Sequence, residues 1–307
     1  MQQIISASRR TDIPAFYADW LVNRLHAGQV LVKNPYSHKV FSVSLRPDDV
    51  SAIVFWSKNY APLLEKLDAI EKTTKNLFFH FTITANAELE LHAPDYREAI
   101  KDYLFIARRY SAAHIIWRYD PVCVTDKLSF EVHEERFVEC AKLLKGHATR
   151  CILSFVHPYK KTLANMQRYS GPTLVMLTEE KKKKYALRLA EKAAVYGIQL
   201  YACCNDVLLA GSILKASCID GRYLSALFNQ PVDLRSAMIR KECACTRSMD
   251  IGAYDTCAHG CLYCYANADM ERAKAAQQYQ MQNGEALGMK SGENILRSDT
   301  AQETLFP

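Results

Sequence analysis

Short apolar runs of strand character alternate along this chain with segments whose apolar residues recur at helical spacing. Residues 4–8 make a short apolar start. Asp12 and Pro14 then supply the N-cap and early proline of a helix running through Phe16, Trp20, Leu21 and Leu25. Residues 29–33 and 39–45 alternate with period two about the turn residues 34–37, which predicts a β-hairpin inserted after the first helix. Residues 52–56 read as a buried strand, followed by a helix through Leu63, Leu64, Leu67 and Ile70. The rhythm continues with strands at 77–84, 115–120, 151–155 and 198–202, and helices near 97–110, 131–144 and 178–196. Six strands separated by helices predict an α/β fold of parallel βαβ units. Their regular spacing suits a partial (β/α)6 TIM-like barrel. A doubly wound open sheet gives nearly the same pattern.

After Cys203 the texture changes to cysteines, short helices and turns as far as Asn267. The expected organisation is a core over 1–203, with the hairpin near 29–45 inserted in it. A cysteine-rich region over 204–269 would fold over the carboxyl ends of the strands. A helix and flexible polar tail would occupy 270–307.

Composition narrows the classes. With 307 residues, 49% apolar and 23% charged, the chain can bury a sizeable core. Its longest apolar runs are too short to span a bilayer. The first residues lack the apolar stretch of a secretory signal. The expected compartment is therefore the cytoplasm, where eleven cysteines read as free thiols or metal ligands rather than disulfides. A net charge of +6 permits a nucleic-acid or phosphorylated partner without requiring one. The densest positive run, Lys181 to Lys184, opens a periodic segment and reads as the solvated face of a helix.

The chemistry concentrates at Cys257, Cys261 and Cys264, spaced C-x3-C-x2-C. Thiolates favour Fe–S clusters, zinc or Cu(I). A structural zinc takes four closed ligands, whereas three thiolates on a 4Fe–4S cluster leave one iron open to a small molecule. Gly260 allows a tight turn between ligands. Tyr263 would stand beside the open iron. A zinc knuckle completed by His259 or another cysteine is the simpler alternative.

Cys257, Cys261, Tyr263 and Cys264 resemble the C-x3-C-x-aromatic-C signature of radical S-adenosylmethionine enzymes. The longer string from Asp250, Gly252 and Tyr254 to Cys264, Tyr265 and Asn267 resembles the bacterial family called domain of unknown function 1848. That family is similar in turn to the spore-photoproduct-lyase-like radical enzymes. The resemblance implies a 4Fe–4S cluster whose open iron binds S-adenosylmethionine, reductive cleavage to a 5′-deoxyadenosyl radical, and an electron donor such as flavodoxin or ferredoxin. One departure stands out: in most of these enzymes the cysteine loop follows the first barrel strand, near the N-terminus.

In α/β sheets ligands gather at the carboxyl ends of strands. Those ends carry Ser8 to Asp12, Trp56 to Asn59, His80 to Thr82, Arg118 to Pro121, Ser154 to Tyr159, and Cys203 to Asp206. Lys58 resembles the lysine that ends the second core strand of the spore-photoproduct-lyase-like enzymes, near the bound cofactor. Arg118, Asp120 and Pro121 resemble their Arg-x-Asp-Pro. The resemblance thus marks Lys58, Arg118 and Tyr263 for the cofactor, while Arg118, Asp120 and His157 are the candidate catalytic groups. The superfamily's Gly-Gly-Glu segment is absent after Trp56. Cys204, Cys218, Cys243 and Cys245 form a candidate second site, for zinc or an auxiliary Fe–S cluster, with Cys203 a competing ligand. Cys123, Cys140 and Cys151 fall within strand or helix patterns and read as inert core.

The leading function is a radical S-adenosylmethionine enzyme of unspecified substrate. The alternative is a non-catalytic Fe–S or zinc protein acting in nucleic-acid metabolism. A metal-dependent hydrolase using His80, His157 and Asp120 lacks any familiar ligand spacing. At the tail, Gln302, Leu305 and Phe306 resemble the peptide by which bacterial replication and repair proteins dock on the sliding clamp.

Overall fold

The computed structural model describes residues 2–169, 171–237, 242–280 and 284–289. Among the described residues ten strands form: β1 (Gln3–Ala7), β2 (Gln29–Lys33), β3 (Val40–Ser44), β4 (Val50–Ser57), β5 (Leu77–Thr82), β6 (Ile115–Val122), β7 (Arg150–Phe155), β8 (Gln199–Ala202), β9 (Leu214–Lys215) and β10 (Met249–Asp250). The helices are α1 (Ile13–Phe16), α2 (Ala18–Ala27), α3 (Ala61–Leu64), α4 (Leu67–Glu71), α5 (Tyr96–Arg109), α6 (Phe130–Leu144), α7 (Lys160–Arg168), α8 (Glu179–Val195), α9 (Gly221–Phe228) and α10 (Met270–Tyr279).

Eight strands make one wholly parallel sheet in the order β10-β1-β4-β5-β6-β7-β8-β9. The order advances in one direction, without the reversal of a doubly wound sheet. Among the described residues β9 and β10 pair with different neighbours at opposite edges, so the sheet is open. β2 and β3 form the expected hairpin as a separate antiparallel sheet.

Parallel strands need cover on both faces, and period two assigns the cover. Ile5, Ile53, Phe55, Phe79, Trp117, Leu153 and Leu200 share the main core with Leu21, Leu63, Ile70, Ile106, Phe137 and Leu189 from the helices. Their neighbours Ile4, Val54, Phe78, Ile116 and Ile152 form a second core with Cys218, Ile219, Leu224 and Cys245. The long helices therefore cover one face, and the cysteine-bearing segment with α9 covers the other.

The helix expected from Asp12 is two helices. Asp12 caps α1 by accepting from the Ala15 amide, and Tyr17 at φ −136° breaks the path before α2. The helix expected through Leu63 to Ile70 is likewise split into α3 and α4, interrupted at Lys66 (φ −108°). Lys181, Lys183 and Lys184 are exposed on α8, as their pattern suggests. Cys123, Cys140 and Cys151 are buried, and burial pushes the first two thiols up to about 12. Among the described residues no helix is long and apolar enough to cross a membrane. Gln302, Leu305 and Phe306 lie outside the described residues.

Candidate functional site

The carboxyl ends of the six central strands open on one cavity of about 500 Å³. Each expected strand-end set contributes to its wall, from Ser8 to Asp12 at β1 round to Cys203 and Cys204 at β8. Cys257, Cys261 and Cys264 line the same cavity, as do Lys58, Arg118, Asp120, His157 and Tyr263. All three thiols of the tripod thus meet the strand-end groups although more than 130 residues separate Cys257 from Asp120.

The cysteine loop reaches that position because β10 pairs with the outer edge of β1, Met249 opposite Ile5 and Asp250 opposite Ser6. Asp250 is fully buried and accepts from Ser6 Oγ (2.7 Å), Ser8 Oγ (2.8 Å), the Arg9 amide (2.9 Å), Arg10 Nε (3.0 Å) and the Gly252 amide (3.0 Å). Burial alone would raise its pKa, but the Arg10 and Arg9 guanidinium groups and these donors hold it below the usual carboxylate range. Gly252 is required here, since a Cβ would lie 2.0 Å from Ser8 Oγ. Gly260 turns the loop at φ +67°, with His92 2.9 Å from where a Cβ would stand.

Asp12 fastens the loop to the strand ends. Besides capping α1, it accepts from Ser57 Oγ (2.7 Å), the Lys58 amide (3.0 Å) and His259 Nε2 (2.8 Å). Its partner His259 sits between Cys257 and Cys261 and is 2% exposed. With Nε2 on Asp12 and Nδ1 directed at the His92 carbonyl (3.5 Å), its ring nitrogens point away from a zinc-knuckle role. From the opposite side, Glu90 makes a β-bridge with Cys261, and the Leu262 amide donates to the Leu89 carbonyl (2.9 Å). Thr162 and Asn165 of α7 donate to the carbonyls of Tyr263 (3.2 Å) and Asn267 (3.2 Å).

Lys58 lies 2.9 Å from Glu90 Oε1 and 5.8 Å from the centre of the Tyr263 ring. Thr84 Oγ1 and the Tyr263 hydroxyl donate to the same carboxylate oxygen. Burial would lower the Lys58 pKa, but Glu90 and the neighbouring Cys261 outweigh it and keep the ammonium charged. Lys58 is therefore an engaged cation rather than a free one. Arg118 is engaged too, donating to Asp120 and to Cys218 Sγ (3.2 Å), while Ser154 Oγ donates to Asp120. His157 is exposed at the cavity wall, its ring 4.4 Å from that of Tyr159. His80 does not join Asp120 and His157. It is fully buried, stacks on Trp56 at 4.9 Å, and places Nε2 2.7 Å from the Cys218 carbonyl. Burial and then Arg118 hold its imidazole down at about 3.

Among the described residues no three His, Cys, Asp or Glu side chains are already arranged about one point as a metal cage. The tripod's chemistry nonetheless suits a cation. Burial raises the pKa of all three thiols, and for Cys257 the nearby Asp12, Cys264 and Cys261 raise it further. A bound cation would reverse each of those penalties.

Sequence reasoning missed Glu90 and the clamping role of Asp12. It also missed Asp250 as the anchor of the loop, having quoted that residue only within a motif. Glu90 follows Glu88 in a polar stretch, which looks like any solvated loop. Comparison with known proteins adds one finding: a family model described as a domain of unknown function (DUF1848) matches residues 4–266. No curated protein and no solved structure matches.

Proposed function

This chain belongs to the family described as domain of unknown function 1848, and we propose that it acts as a radical S-adenosylmethionine enzyme. In this reading Cys257, Cys261 and Cys264 hold a 4Fe–4S cluster, and the cavity beside them takes S-adenosylmethionine and a substrate. The observation that carries the reading is the meeting of the three thiols with the strand-end cations on one cavity. Its volume of about 500 Å³ lies within the range of cofactor and small-molecule sites.

The unusual chain order also supports it. The cysteine loop comes late in sequence but leaves the sheet from β10, the edge strand beside β1. In space the loop therefore follows the first strand of a one-directional sheet, as it does in the superfamily that the motif resembles. A partial-barrel description fits this open, singly wound arrangement.

Bound here, the cluster would supply the electron for reductive cleavage of S-adenosylmethionine. The chain's own residues have separable tasks. Asp12 and Asp250 hold the loop in place through buried hydrogen bonds, so that the thiols need little ordering on binding. Lys58, kept charged by Glu90, offsets thiolate charge at Cys261. Arg118, braced by Asp120 and Cys218, would offer a fixed guanidinium to the carboxylate of the cofactor. Tyr263 lines the cavity beside Lys58, and His157 at the exposed margin would meet substrate. A flavodoxin- or ferredoxin-like protein would serve as electron donor.

The test is anaerobic reconstitution with iron and sulfide, reduction with dithionite, and chromatography for 5′-deoxyadenosine after adding S-adenosylmethionine. Cluster-loaded protein should release it, and a Cys261→Ala control should not. A fully loaded protein that releases none above the control would overturn the catalytic reading. Failure of the wild type to assemble any cluster would overturn the metal assignment itself.

A further inference from the structure

Cys203 and Cys204 follow β8, Cys218 follows β9, and Cys243 and Cys245 lie on the approach to β10. Among the described residues these cysteines are not gathered about one point as a metal cage, but two of them meet. Cys203 and Cys218 are both free thiols, fifteen positions apart in sequence, and their sulfurs stand 3.2 Å from one another. Both side chains line the cavity at the strand ends.

The backbone on either side is held. The Cys203 amide donates to the Leu153 carbonyl (3.3 Å), and the Ala216 amide donates to the Ala202 carbonyl (2.8 Å). Beyond Cys218, the Ile219 carbonyl accepts from the Thr246 amide (2.8 Å). Paired backbone therefore brings the two sulfurs together. The two thiols differ in their surroundings. Cys203 is half-buried at the cavity wall, whereas Cys218 is 8% exposed and its Sγ accepts from the Arg118 guanidinium at 3.2 Å. Buried cysteine is common as a small hydrophobe, and that suffices for Cys123, Cys140 and Cys151. It does not account for a half-exposed thiol touching a second thiol that faces a cation.

We infer that Cys203 and Cys218 form a redox-active dithiol on the cavity wall, converted to a disulfide by a small organic disulfide that enters the cavity. A disulfide bond is about 2.05 Å long, so closure asks the sulfurs to approach by about 1.2 Å. Cys203 reacts first, because it is the more exposed of the two. Its sulfur attacks one sulfur of the reagent, whose S–S bond breaks, and the departing thiolate takes up the Cys203 proton. The Cys218 sulfur then attacks the Cys203 sulfur of the mixed disulfide. The second reagent thiolate leaves and takes up the Cys218 proton. Two protein thiols are oxidised, and the reagent is reduced to two thiols.

Arg118 suits the second step, since a guanidinium beside Cys218 favours negative charge on the attacking sulfur. The same contact stabilises the reduced pair, which makes the disulfide easy to reduce and the modification reversible. On oxidation Arg118 loses this acceptor and keeps Asp120, so the state of the pair reaches a cation of the cavity wall. Cys204 Sγ is farther from Cys203, at 3.8 Å, and a bond between adjacent residues would close a small strained ring.

The experiment exposes the anaerobically purified full chain to hydroxyethyl disulfide, blocks remaining thiols with a maleimide, and maps the peptides by mass spectrometry. A Cys203–Cys218 disulfide should form, should disappear on adding dithiothreitol, and should form equally in Cys204→Ser. In Cys218→Ser the reagent should stay attached to Cys203, and in Cys203→Ser the thiol of Cys218 should remain unmodified. Should a variant fail to fold, the bond mapped in the wild type decides alone, with circular dichroism showing that the chain is folded. A bond from Cys203 to Cys204, an adduct on wild-type Cys203 that is never resolved, or two unmodified thiols in the folded chain would each overturn the assignment. The last result does so equally where a co-purifying metal shields the thiols. These readouts need neither a cluster nor S-adenosylmethionine, so they stand apart from the proposed activity.

Discussion

Lys58 and Asp250 are two buried charges stabilised in different ways. Asp250 has hydrogen-bond donors on both oxygens, while Lys58 has one carboxylate partner, Glu90. Replacing Glu90 by Ala would leave a buried ammonium with only the weaker influence of Cys261 and Asp120. The expected cost is about 3–5 kcal/mol, the usual penalty for orphaning one member of a buried pair. Urea denaturation checks this, and the paired change Lys58→Met with Glu90→Leu should be milder than Glu90→Ala alone. A double variant as unstable as the single one would show that the pair is not the unit. For Asp250 the sign runs the other way with pH. A carboxylate held below its unfolded value of about 3.9 contributes stability that is complete above that value and lost as pH falls through the depressed folded value. Denaturant midpoints should therefore fall in the acid limb below about pH 4, and Asp250→Asn, though less stable at neutrality, should show a shallower acid slope. An unchanged slope would assign the acid sensitivity to other carboxylates.

At the scale of elements, what was legible was what carried a period. Residues 52–56, 115–120 and 151–155 are apolar enough to declare themselves, and each is a central strand. β9 and β10 have two residues each, too few for any alternation, so the edges of the sheet were invisible. The tripod was legible because thiols at fixed spacing are rare. Its fastening was not, because Asp12 looked complete as a helix cap and Glu90 looked solvated. The strand-end groups were found by topology, yet Lys58 and Arg118 turned out to be already paired. Which cation meets which carboxylate is decided by packing that no local pattern records. β10 offers the sharpest test of an element's role. Gly252→Ala would drive a methyl into Ser8 Oγ and prise β10 from β1, at an expected cost of about 1–3 kcal/mol. Hydrogen exchange should quicken first at the amides of Ile251 and Arg9, which bond across that seam. Unaltered protection there would mean that the seam tolerates the methyl.

Over the whole molecule, one sheet sets the position of everything else. Its order is consecutive from β1 through β4 to β9, and β10 alone breaks it by returning to the starting edge. A chain stopped at residue 247 would lose β10, leave the β1 edge open, and strand Arg10 in the interior without Asp250. It should be recovered mainly as aggregate; a soluble, monomeric fragment with a cooperative melt would show that β10 is dispensable to the sheet. The returning strand also imposes an order in time. During synthesis β1 is made before the other strands of the sheet, and its outer edge waits through 244 further residues for the aspartate that Ser6 will meet. Contacts of such long range close slowly and late. The three thiols come later still, so the cavity that they line has no complete wall until the rest of the sheet has been translated. On the proposed reading, a chain interrupted before Cys257 could not hold the cluster, and the architecture makes translation of the whole sheet a precondition for loading it.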